Sequence, residues 1–272
     1  MTADTLRTVQ VGANAITYDR HGDTANPTVV LLSGWCQDHR LFDPLLPHLI
    51  SDFDVVRIDW RGHGLDRTPV PDFGPAEQAT DTLAVLDALG VERFLPLSTS
   101  HGGWANIEIA ERAGLARVAS VLVIDWIMTA ASPEFLASLD AGADPDTWQQ
   151  GRDGLFDIWL DGSDNAAVRN HVRNEMAAFD YEMWARSCRV IKTAYQHWGS
   201  PLERMAAMSE QPSIKHLFSQ PTTADYARAQ EDFESSHPWF SYRNLGGPTH
   251  FPTLDSPEPV AEEIRSAHAR LG

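Results

Sequence analysis

Uninterrupted apolar runs alternate along the chain with segments of helical spacing. Residues 28–32 and 118–124 are almost entirely apolar, and residues 53–58 are mostly so. Runs of this kind are typical of strands that are buried on both faces of a parallel sheet. Residues 81–89 have the spacing of an amphipathic helix and end at Gly90, a common helix stop. Strands that alternate with helices in this way predict a parallel sheet with right-handed crossovers.

The alternation stops in the middle of the chain. Residues 127–199 are rich in Asp, Trp and Met and in helix formers, and they contain no clear strand pattern. Strand patterns resume at 214–219 and 240–245, and a last amphipathic helix is predicted over 258–271. The predicted organisation is a core with an inserted helical cap: core residues 1–126, cap residues 127–199 and core residues 200–272.

One apolar run ends abruptly at a stretch of small residues. Residues 94–97 lead into Ser98-Thr99-Ser100-His101-Gly102-Gly103, and helical spacing follows at once. This order predicts a strand, a tight turn and a helix, with Ser100 at the apex of the turn. Small residues are needed on both sides because the turn presses its backbone against its neighbours. The segment is typical of the nucleophile elbow of an α/β-hydrolase fold, with Ser98 in place of the usual first glycine.

Composition narrows the class of protein. The 272 residues are 43% hydrophobic, which suffices for one large α/β domain with a cap insertion or for two small domains. The formal net charge of −17 disfavours nucleic acid and anionic membranes as partners. The longest apolar run is too short to cross a bilayer, and the first residues lack a signal-peptide pattern. Only two cysteines are present, Cys36 and Cys188, so a reducing, cytoplasmic location is expected.

The sequence contains no metal or nucleotide motif. Its eleven histidines include no His-x-x-x-His pair with a nearby Glu, and there is no Cys-x-x-Cys pair. A Gly-x-Gly-x-x-Gly after the first strand and a Walker loop are also absent. The chemistry is therefore expected to come from side chains and substrate, or from a cofactor that leaves no motif.

His250 is the candidate base. It follows the last predicted strand in a Gly-Gly-Pro-Thr-His-Phe-Pro loop, and the order Ser, acid, His is that of the α/β-hydrolase fold. The usual acid position, after the seventh strand, offers only Gln220 and a more distant Asp225. Asp125, at the end of the sixth strand, is the better candidate, because a carboxylate there can accept the His250 N–H and stabilise an imidazolium. The alternative is that Asp125 only caps the next segment.

Further candidates lie beside these loops. Trp35 follows the third strand and His101 follows Ser100, the two places from which the fold takes oxyanion-hole N–H groups. Trp35 is equally compatible with core packing, and the His101 imidazole need have no role. Trp159 is the candidate aromatic wall for a flat ligand, although packing between cap and core is the commoner role of any one tryptophan. Cys36 either lines the site or is a buried, inert thiol.

Several longer motifs surround these candidates. They are Gly34-Trp35-Cys36, Ser100-His101-Gly102-Gly103-Trp104, Asp125-Trp126, residues 154–162, His237-Pro238-Trp239-Phe240-Ser241-Tyr242 and, most specific, Leu245-Gly246-Gly247-Pro248-Thr249-His250-Phe251-Pro252. Together they resemble a narrow family on the α/β-hydrolase fold, the cofactor-independent 3-hydroxy-4(1H)-quinolone 2,4-dioxygenases. The resemblance covers nearly the whole chain, and it implies a mostly parallel sheet flanked by helices, with a helical cap.

The resemblance also implies a reaction and the residues that perform it. The substrates would be O₂ and a small aromatic molecule, a 3-hydroxy-4(1H)-quinolone with a 2-methyl or longer alkyl group, such as the heptyl chain of a quorum signal. Its ring would be cleaved to an N-acylanthranilate and carbon monoxide, with no cofactor and no metal. His250 would be the general base and Asp125 its partner. The Trp35 and His101 N–H groups would hold the 4-oxo oxygen, the Trp35 carbonyl would face the ring N–H, and Trp159 would lie near the ring.

The role of Ser100 separates the alternatives. In the resembled family it would position the substrate, whereas a serine hydrolase acting on an ester, lactone or amide would use it as the nucleophile of a Ser100–His250–Asp125 triad. A non-catalytic binding protein would leave these three residues unexplained. The chain departs from the family at Gln37 and Thr99, where the most similar members have histidine. Gln37 adjoins the active-site loops, so it is a candidate substrate contact that bears on substrate fit.

Overall fold

A single sheet runs through the described part of the chain, residues 6–65 and 67–269 of a computed structural model. Its eight strands are β1 (Arg7–Val11), β2 (Asn14–His21), β3 (Thr28–Leu32), β4 (Asp54–Ile58), β5 (Phe94–Thr99), β6 (Ser120–Ile124), β7 (Ser213–Phe218) and β8 (Phe240–Asn244). They lie in the order β1-β2-β4-β3-β5-β6-β7-β8. The β1/β2 and β2/β4 pairs are antiparallel and the other five neighbouring pairs are parallel. The mostly parallel sheet predicted from the sequence is therefore confirmed.

Helices flank this sheet. In the same described ranges they are α1 (Pro75–Ala88), α2 (Gly103–Ala113), α3 (Pro133–Ala143), α4 (Trp148–Leu160), α5 (Ala166–Asn170), α6 (Tyr181–Trp198), α7 (Pro201–Ala206), α8 (Ala224–Ser236), α9 (Pro252–Asp255) and α10 (Pro257–Ala269). Shorter helical turns are His39–Phe42, Leu46–His48, Ser100–Gly102, Met176–Ala178 and the π-helical His171–Glu175. Between β6 and β7 the chain forms helices and no strand. The division into a core (1–126 and 200–272) and a cap (127–199) stays a prediction.

Some element bounds differ from the predictions for physical reasons. α1 begins at Pro75 rather than at residue 81, because the Glu77 side chain caps the backbone N–H that precedes the helix and proline suits its first turn. The apolar pattern gives no bounds for β1 and β2, since β1 is a largely exposed edge strand. The predicted end of the last helix at Leu271 and residues 1–4, on which the signal-peptide prediction rests, lie outside the described residues.

The carboxyl ends of β3, β5 and β6 carry three residues with unusual backbone geometry. Cys36, Ser100 and Asp125 have φ angles of 56°, 49° and 46°, in the left-handed region that L-residues seldom adopt. Such strained positions persist only where the surrounding structure enforces them, and they cluster at functional sites. The parallel sheet therefore brings together three enforced turns at the edge where α/β folds place their ligands.

The elbow after β5 has no room for larger residues. A Cβ atom on Gly102 would lie 2.4 Å from the carbonyl oxygen of Ser33, and one on Gly103 would lie 2.3 Å from the Trp126 ring. Ser98, on the other side of the turn, is fully buried. The sequence-based expectation of small flanking residues thus has a direct steric cause.

We expect Gly103→Ala to destabilise the fold, because its methyl group would overlap the Trp126 ring. Overpacking of this kind costs about 1–3 kcal/mol of the free energy of unfolding, measurable by urea denaturation. Gly154→Ala is the matched control, since Gly154 lies within helix α4 and no atom lies within 4 Å of an added Cβ. That change should stabilise by about 0.5–1 kcal/mol through the helix preference of alanine. Equal stabilities of the two variants would contradict the steric account of the elbow.

Candidate active site

A cavity of about 510 Å³ opens at the carboxyl end of the sheet. Its lining combines the loops after β3, β5, β6, β7 and β8 with apolar side chains from α3, α4 and α6. Seven of the eight residues predicted for the site line it: Trp35, Gln37, Ser100, His101, Asp125, Trp159 and His250. These seven residues come from four separate loops and one helix, and they converge on a single space large enough for a small molecule.

Asp125, the candidate acid, is held by the loop after β7. Its Oδ1 accepts hydrogen bonds from the Ser219 N–H (2.7 Å) and the Gln220 N–H (3.1 Å). Its Oδ2 has no hydrogen-bond partner in the described residues, although it lies 3.9 Å from Nδ1 of His250. Burial raises the pKa of Asp125 to about 8, against the lowering effect of the two N–H donors, and Asp255 adds a smaller upward shift.

Two aromatic rings pack against the His250 imidazole. The indole of Trp159 stacks on the imidazole with ring centroids 5.4 Å apart and planes 10° apart, and Phe251 meets it edge-on. The side chain is 13% exposed, and burial lowers the pKa of His250 to about 4. The imidazole is therefore neutral over the physiological range, as a proton acceptor must be.

The protonation states of His250 and Asp125 together decide whether His250 can act as a base. His250 can accept a proton at Nε2 only if its Nδ1 carries the other proton, and that tautomer needs an ionised Asp125 facing Nδ1. Because the pKa of Asp125 is raised, this state becomes populated as the pH rises towards and beyond about 8. In this arrangement the ionisation of Asp125 would set the fraction of His250 that can accept a proton at Nε2.

The loop after β3 contains backbone donors with and without partners in the described residues. The Cys36 N–H donates to Nε2 of His63 (3.1 Å), and the Trp60 indole N–H donates to the Ser33 carbonyl (2.8 Å). The Trp35 N–H, by contrast, donates no hydrogen bond within residues 6–65 and 67–269. The Trp35 ring itself stacks on Phe73, which anchors the loop from behind. The Trp35 ring therefore packs in the core while its N–H stays without a partner, and its use as an oxyanion-hole donor stays a prediction.

The His101 ring is part of the cavity wall. It stacks on Phe135 (5.6 Å, 19°) and meets Tyr195 edge-on. Burial, and then the nearby His250, lower the pKa of His101 to about 3, and its Nδ1 is buried without a partner. The ring is accordingly a neutral packing element, while its backbone N–H follows Ser100 at the elbow.

Of the two remaining candidates, Gln37 lines the cavity and Cys36 does not. The Oε1 atom of Gln37 accepts from the Gly34 N–H (3.1 Å) and the Thr99 hydroxyl (3.3 Å), which fixes the amide. Cys36 is fully buried and does not line the cavity. Its thiol lies behind the wall beside Ser187, and burial raises its pKa well above the ordinary value. Of the two roles considered for Cys36, the structure has the buried thiol, and Cys188 is the cysteine that lines the cavity.

Two tyrosines, which the sequence gave no reason to single out, hold the segment after Asp125. The Tyr226 hydroxyl donates to the Trp126 carbonyl (2.8 Å) and accepts from the Met128 N–H (3.2 Å). The Tyr195 hydroxyl donates to the Ile127 carbonyl (2.7 Å). Both come from helices remote in sequence, α8 and α6, so only the three-dimensional structure reveals the contact.

The described ranges lack a membrane-spanning helix and a cluster of metal ligands. No helix in them combines the length and the apolar character needed to cross a membrane. They also contain no group of three or more His, Cys, Asp or Glu side chains that could hold a metal ion.

The fold and the elbow define a class of protein, and comparison with known proteins agrees. A family model described as the alpha/beta hydrolase family matches residues 29–263. The chain belongs to the alpha/beta hydrolase family. The site defines a narrower group within it.

Its relatives over the full length are quinolone dioxygenases. A 2-heptyl-3-hydroxy-4(1H)-quinolone dioxygenase of Mycobacteroides abscessus is 48% identical over 95% of this chain and 96% of its own. A 1H-3-hydroxy-4-oxoquinoline 2,4-dioxygenase of Pseudomonas putida is 46% identical over 96% of this chain and 98% of its own. The solved structure of an AqdC variant with its substrate, from work on ring cleavage of the Pseudomonas quinolone signal, has a TM-score of 0.95 at 47% identity. The superposition covers 97% of this chain and 99% of the AqdC variant. The chain belongs to the family of 3-hydroxy-4-quinolone dioxygenases.

Proposed function

We propose that the protein cleaves the heterocyclic ring of a 2-alkyl-3-hydroxy-4(1H)-quinolone with O₂, and that it needs neither a metal nor an organic cofactor. The 2-substituent is a methyl group or a longer chain such as heptyl. The observation that carries the proposal is the His250–Asp125 pair, which faces an aromatic and aliphatic cavity at the carboxyl end of the sheet. Membership of the quinolone dioxygenase family supports the same reaction.

The first step is removal of the 3-hydroxyl proton by His250. Ionised Asp125 stabilises the imidazolium, and the proton later leaves with the carboxyl group of the product. O₂ reacts slowly with closed-shell molecules, but an electron-rich enolate-type anion can donate an electron to it. Both C–C bonds to C3 then break, the two oxygen atoms of O₂ end on C2 and C4, and C3 departs as carbon monoxide with its own oxygen.

The remaining cavity residues bind the anion and exclude water. The unpartnered Trp35 N–H and the His101 N–H at the elbow form a hole for the 4-oxo oxygen, where donors act strongly because the site is dry. The Trp35 carbonyl accepts from the ring N–H of the substrate, and Trp159, already parallel to His250, lies near the substrate ring. Ser100 and Gln37 contact and orient the substrate. Apolar side chains of the cap helices accept the 2-alkyl group: Phe135, Leu139, Leu155, Ile158 and Ile191.

The domain organisation and the cellular location are parts of the same proposal. Residues 127–199 act as a cap, since helices α3, α4 and α6 each contribute side chains to the cavity. A cytoplasmic location is supported by the two free cysteines and by the acidic composition.

The reaction is tested by mixing the protein anaerobically with 2-alkyl-3-hydroxy-4(1H)-quinolones, adding O₂ and measuring carbon monoxide. We expect one carbon monoxide and one N-acylanthranilate for each quinolone consumed. A series from 2-methyl to 2-heptyl establishes the preferred chain length. Absence of carbon monoxide with every member of the series would refute the proposal.

We expect Ser100→Ala to retain much of the turnover, because the proposed reaction forms no bond to Ser100. A hydrolase is the second candidate, since Ser100 stands at a strained elbow (φ 49°) in the same cavity as His250. The ionisable partner nearest to His250 is Asp125, and the described residues show no hydrogen bond between His250 and Ser100, the contact by which a base activates a serine nucleophile. The measurement is kcat for quinolone cleavage, together with labelling by a fluorophosphonate. An inactive Ser100→Ala variant and a wild-type protein that labels would favour the hydrolase.

A further inference from the structure

Asp255, at the end of α9, is tied to both neighbours of His250. Its Oδ2 accepts a hydrogen bond from the Thr249 hydroxyl, and that hydroxyl in turn accepts from the Phe251 N–H (3.1 Å). The Asp255 N–H also donates to the Phe251 carbonyl (3.1 Å). His250 therefore stands between two residues that are held by Asp255, one by its carboxyl group and the other by its backbone N–H.

The same carboxyl group reaches towards Asp125 from behind. Ser219, whose N–H donates to Asp125 Oδ1, has a buried hydroxyl with no partner in the described residues. A Cβ atom on Gly247 would lie 2.8 Å from that hydroxyl oxygen and 3.2 Å from Oδ1 of Asp255. The bare Gly247 backbone thus separates Asp255 from the residue that anchors Asp125.

Each of the two carboxyl groups has a buried oxygen without a hydrogen-bond donor in the described ranges. These atoms are Oδ2 of Asp125 and Oδ1 of Asp255. Two nearby carboxylates repel each other when both are ionised, so the charge of one disfavours ionisation of the other. A neutral amide oxygen could also accept from Thr249, so the anchoring and the charge can be separated by substitution.

We propose that Asp255 is a positioning residue of the site, which anchors the loop of His250 and places a second negative charge behind Asp125. The proposal rests on the proposed function, because it assigns Asp255 to the control of that base. The charge makes Asp125 harder to ionise and so sets the pH at which His250 becomes an effective base. The anchor keeps the imidazole parallel to Trp159 and aimed at the cavity.

Other charged groups around the pair are accounted for. The titratable groups that face Asp125 are His250 and, from α8, Tyr226, and His101 faces His250 from the elbow. α9 packs against α5, α10 and the turn 39–42. The charged residues of those elements nearest to α9 in the chain or fold are paired or exposed: His39 with Asp59, Arg40 with Asp38, Arg169 with Asp164, and Glu258 exposed. Among the charged groups, Asp255 is the one that raises the pKa of Asp125, in addition to the larger effect of burial.

The experiment measures the pH profile of kcat/KM for quinolone cleavage in a set of variants. Asp255→Asn keeps an oxygen for Thr249 but removes the charge. It should move the acid limb of the profile, the part in which kcat/KM rises with pH, to lower pH by about one unit. Asp255→Glu restores the charge and should return the limb towards the wild-type position. Thr249→Val removes only the anchor, and it should lower kcat about ten-fold without moving the limb, whereas Thr249→Ser should retain activity. Glu258→Gln, an exposed carboxyl group on α10, is the matched control and should change neither quantity.

The outcomes separate this inference from the proposed function. If wild-type protein releases no carbon monoxide, the proposed function fails before any variant is compared. If wild-type protein is active, an unmoved acid limb in folded Asp255→Asn, or an equal shift in Glu258→Gln, overturns the charge effect. If Asp255→Asn does not fold, the Thr249 variants provide the test. Equal kcat values for Thr249→Val and Thr249→Ser overturn the anchoring role. An acid limb that moves in Thr249→Val overturns the assignment of the shift to charge.

Discussion

His250→Ala should lower kcat for quinolone cleavage by about a thousand-fold, the range in which a positioned general base contributes to rate. The cavity offers no replacement, because the neighbouring His101 has its pKa lowered to about 3 and is packed between Phe135 and Tyr195. Substrate binding should be affected much less, since the Trp35 and His101 N–H groups and the apolar lining remain. Stopped-flow or steady-state measurement of quinolone consumption tests the loss.

The control for His250→Ala is a stacked histidine outside the cavity. His237 is half-buried and packs against Phe233 with ring centroids 3.9 Å apart, so His237→Ala removes a similar contact far from the chemistry. It should retain kcat. Added imidazole should partly restore His250→Ala, because the missing ring leaves space beside Trp159. Full activity of His250→Ala in a protein free of wild-type contamination would remove His250 from the mechanism.

The sequence predicted those features that local patterns encode. The inner strands are continuous apolar runs because both their faces are covered, and the elbow is visible because its turn tolerates only small residues. His250 and Asp125 were predicted from their places after β8 and β6. The pattern could not locate β1, whose exposed edge position removes the apolar signal.

Features that depend on contacts between distant segments were not predictable. Asp255 and Tyr226 act through hydrogen bonds to residues of other loops, and neither lies in a recognisable motif. Cys36 and Cys188 are equally small and apolar in the sequence, and only the packing of α6 against the loop after β3 decides which of them faces the cavity. Which N–H groups of the loop after β3 have partners also depends on distant residues, because the Cys36 N–H donates to His63.

The position of the acid explains how a hydrolase scaffold carries another chemistry. The loop after β7, which in the fold commonly supplies the acid, here supplies two N–H donors to Asp125. The acid is thereby moved to β6 and buried, which raises its pKa and leaves its Oδ2 for His250 alone. The pair is suited to taking a proton from a bound acid such as a 3-hydroxyl group, and the described residues show no hydrogen bond between Ser100 and His250.

Asp125→Asn should lower kcat/KM by about a hundred-fold or more, and it should remove the pH dependence that the carboxyl group causes. In the wild type the pKa of Asp125 is raised to about 8, so the group is protonated below that pH and ionised above it. Because the base form of His250 needs the ionised partner, kcat/KM should rise with pH through this region and fall as the pH is lowered. Asparagine does not titrate, and its amide can hold the imidazole in the wrong tautomer, so the variant should be slow and nearly flat over the same range.

The matched control is Asp225→Asn, which changes a carboxyl group in the first turn of α8, after the loop where this fold usually keeps its acid. The Asp225 side chain is 95% exposed, so its substitution should leave both kcat/KM and the acid limb as in the wild type. An acid limb that persists in Asp125→Asn would assign the titration to another group. If kcat/KM falls and its acid limb disappears in Asp125→Asn but not in Asp225→Asn, the buried carboxyl group of Asp125 controls the base.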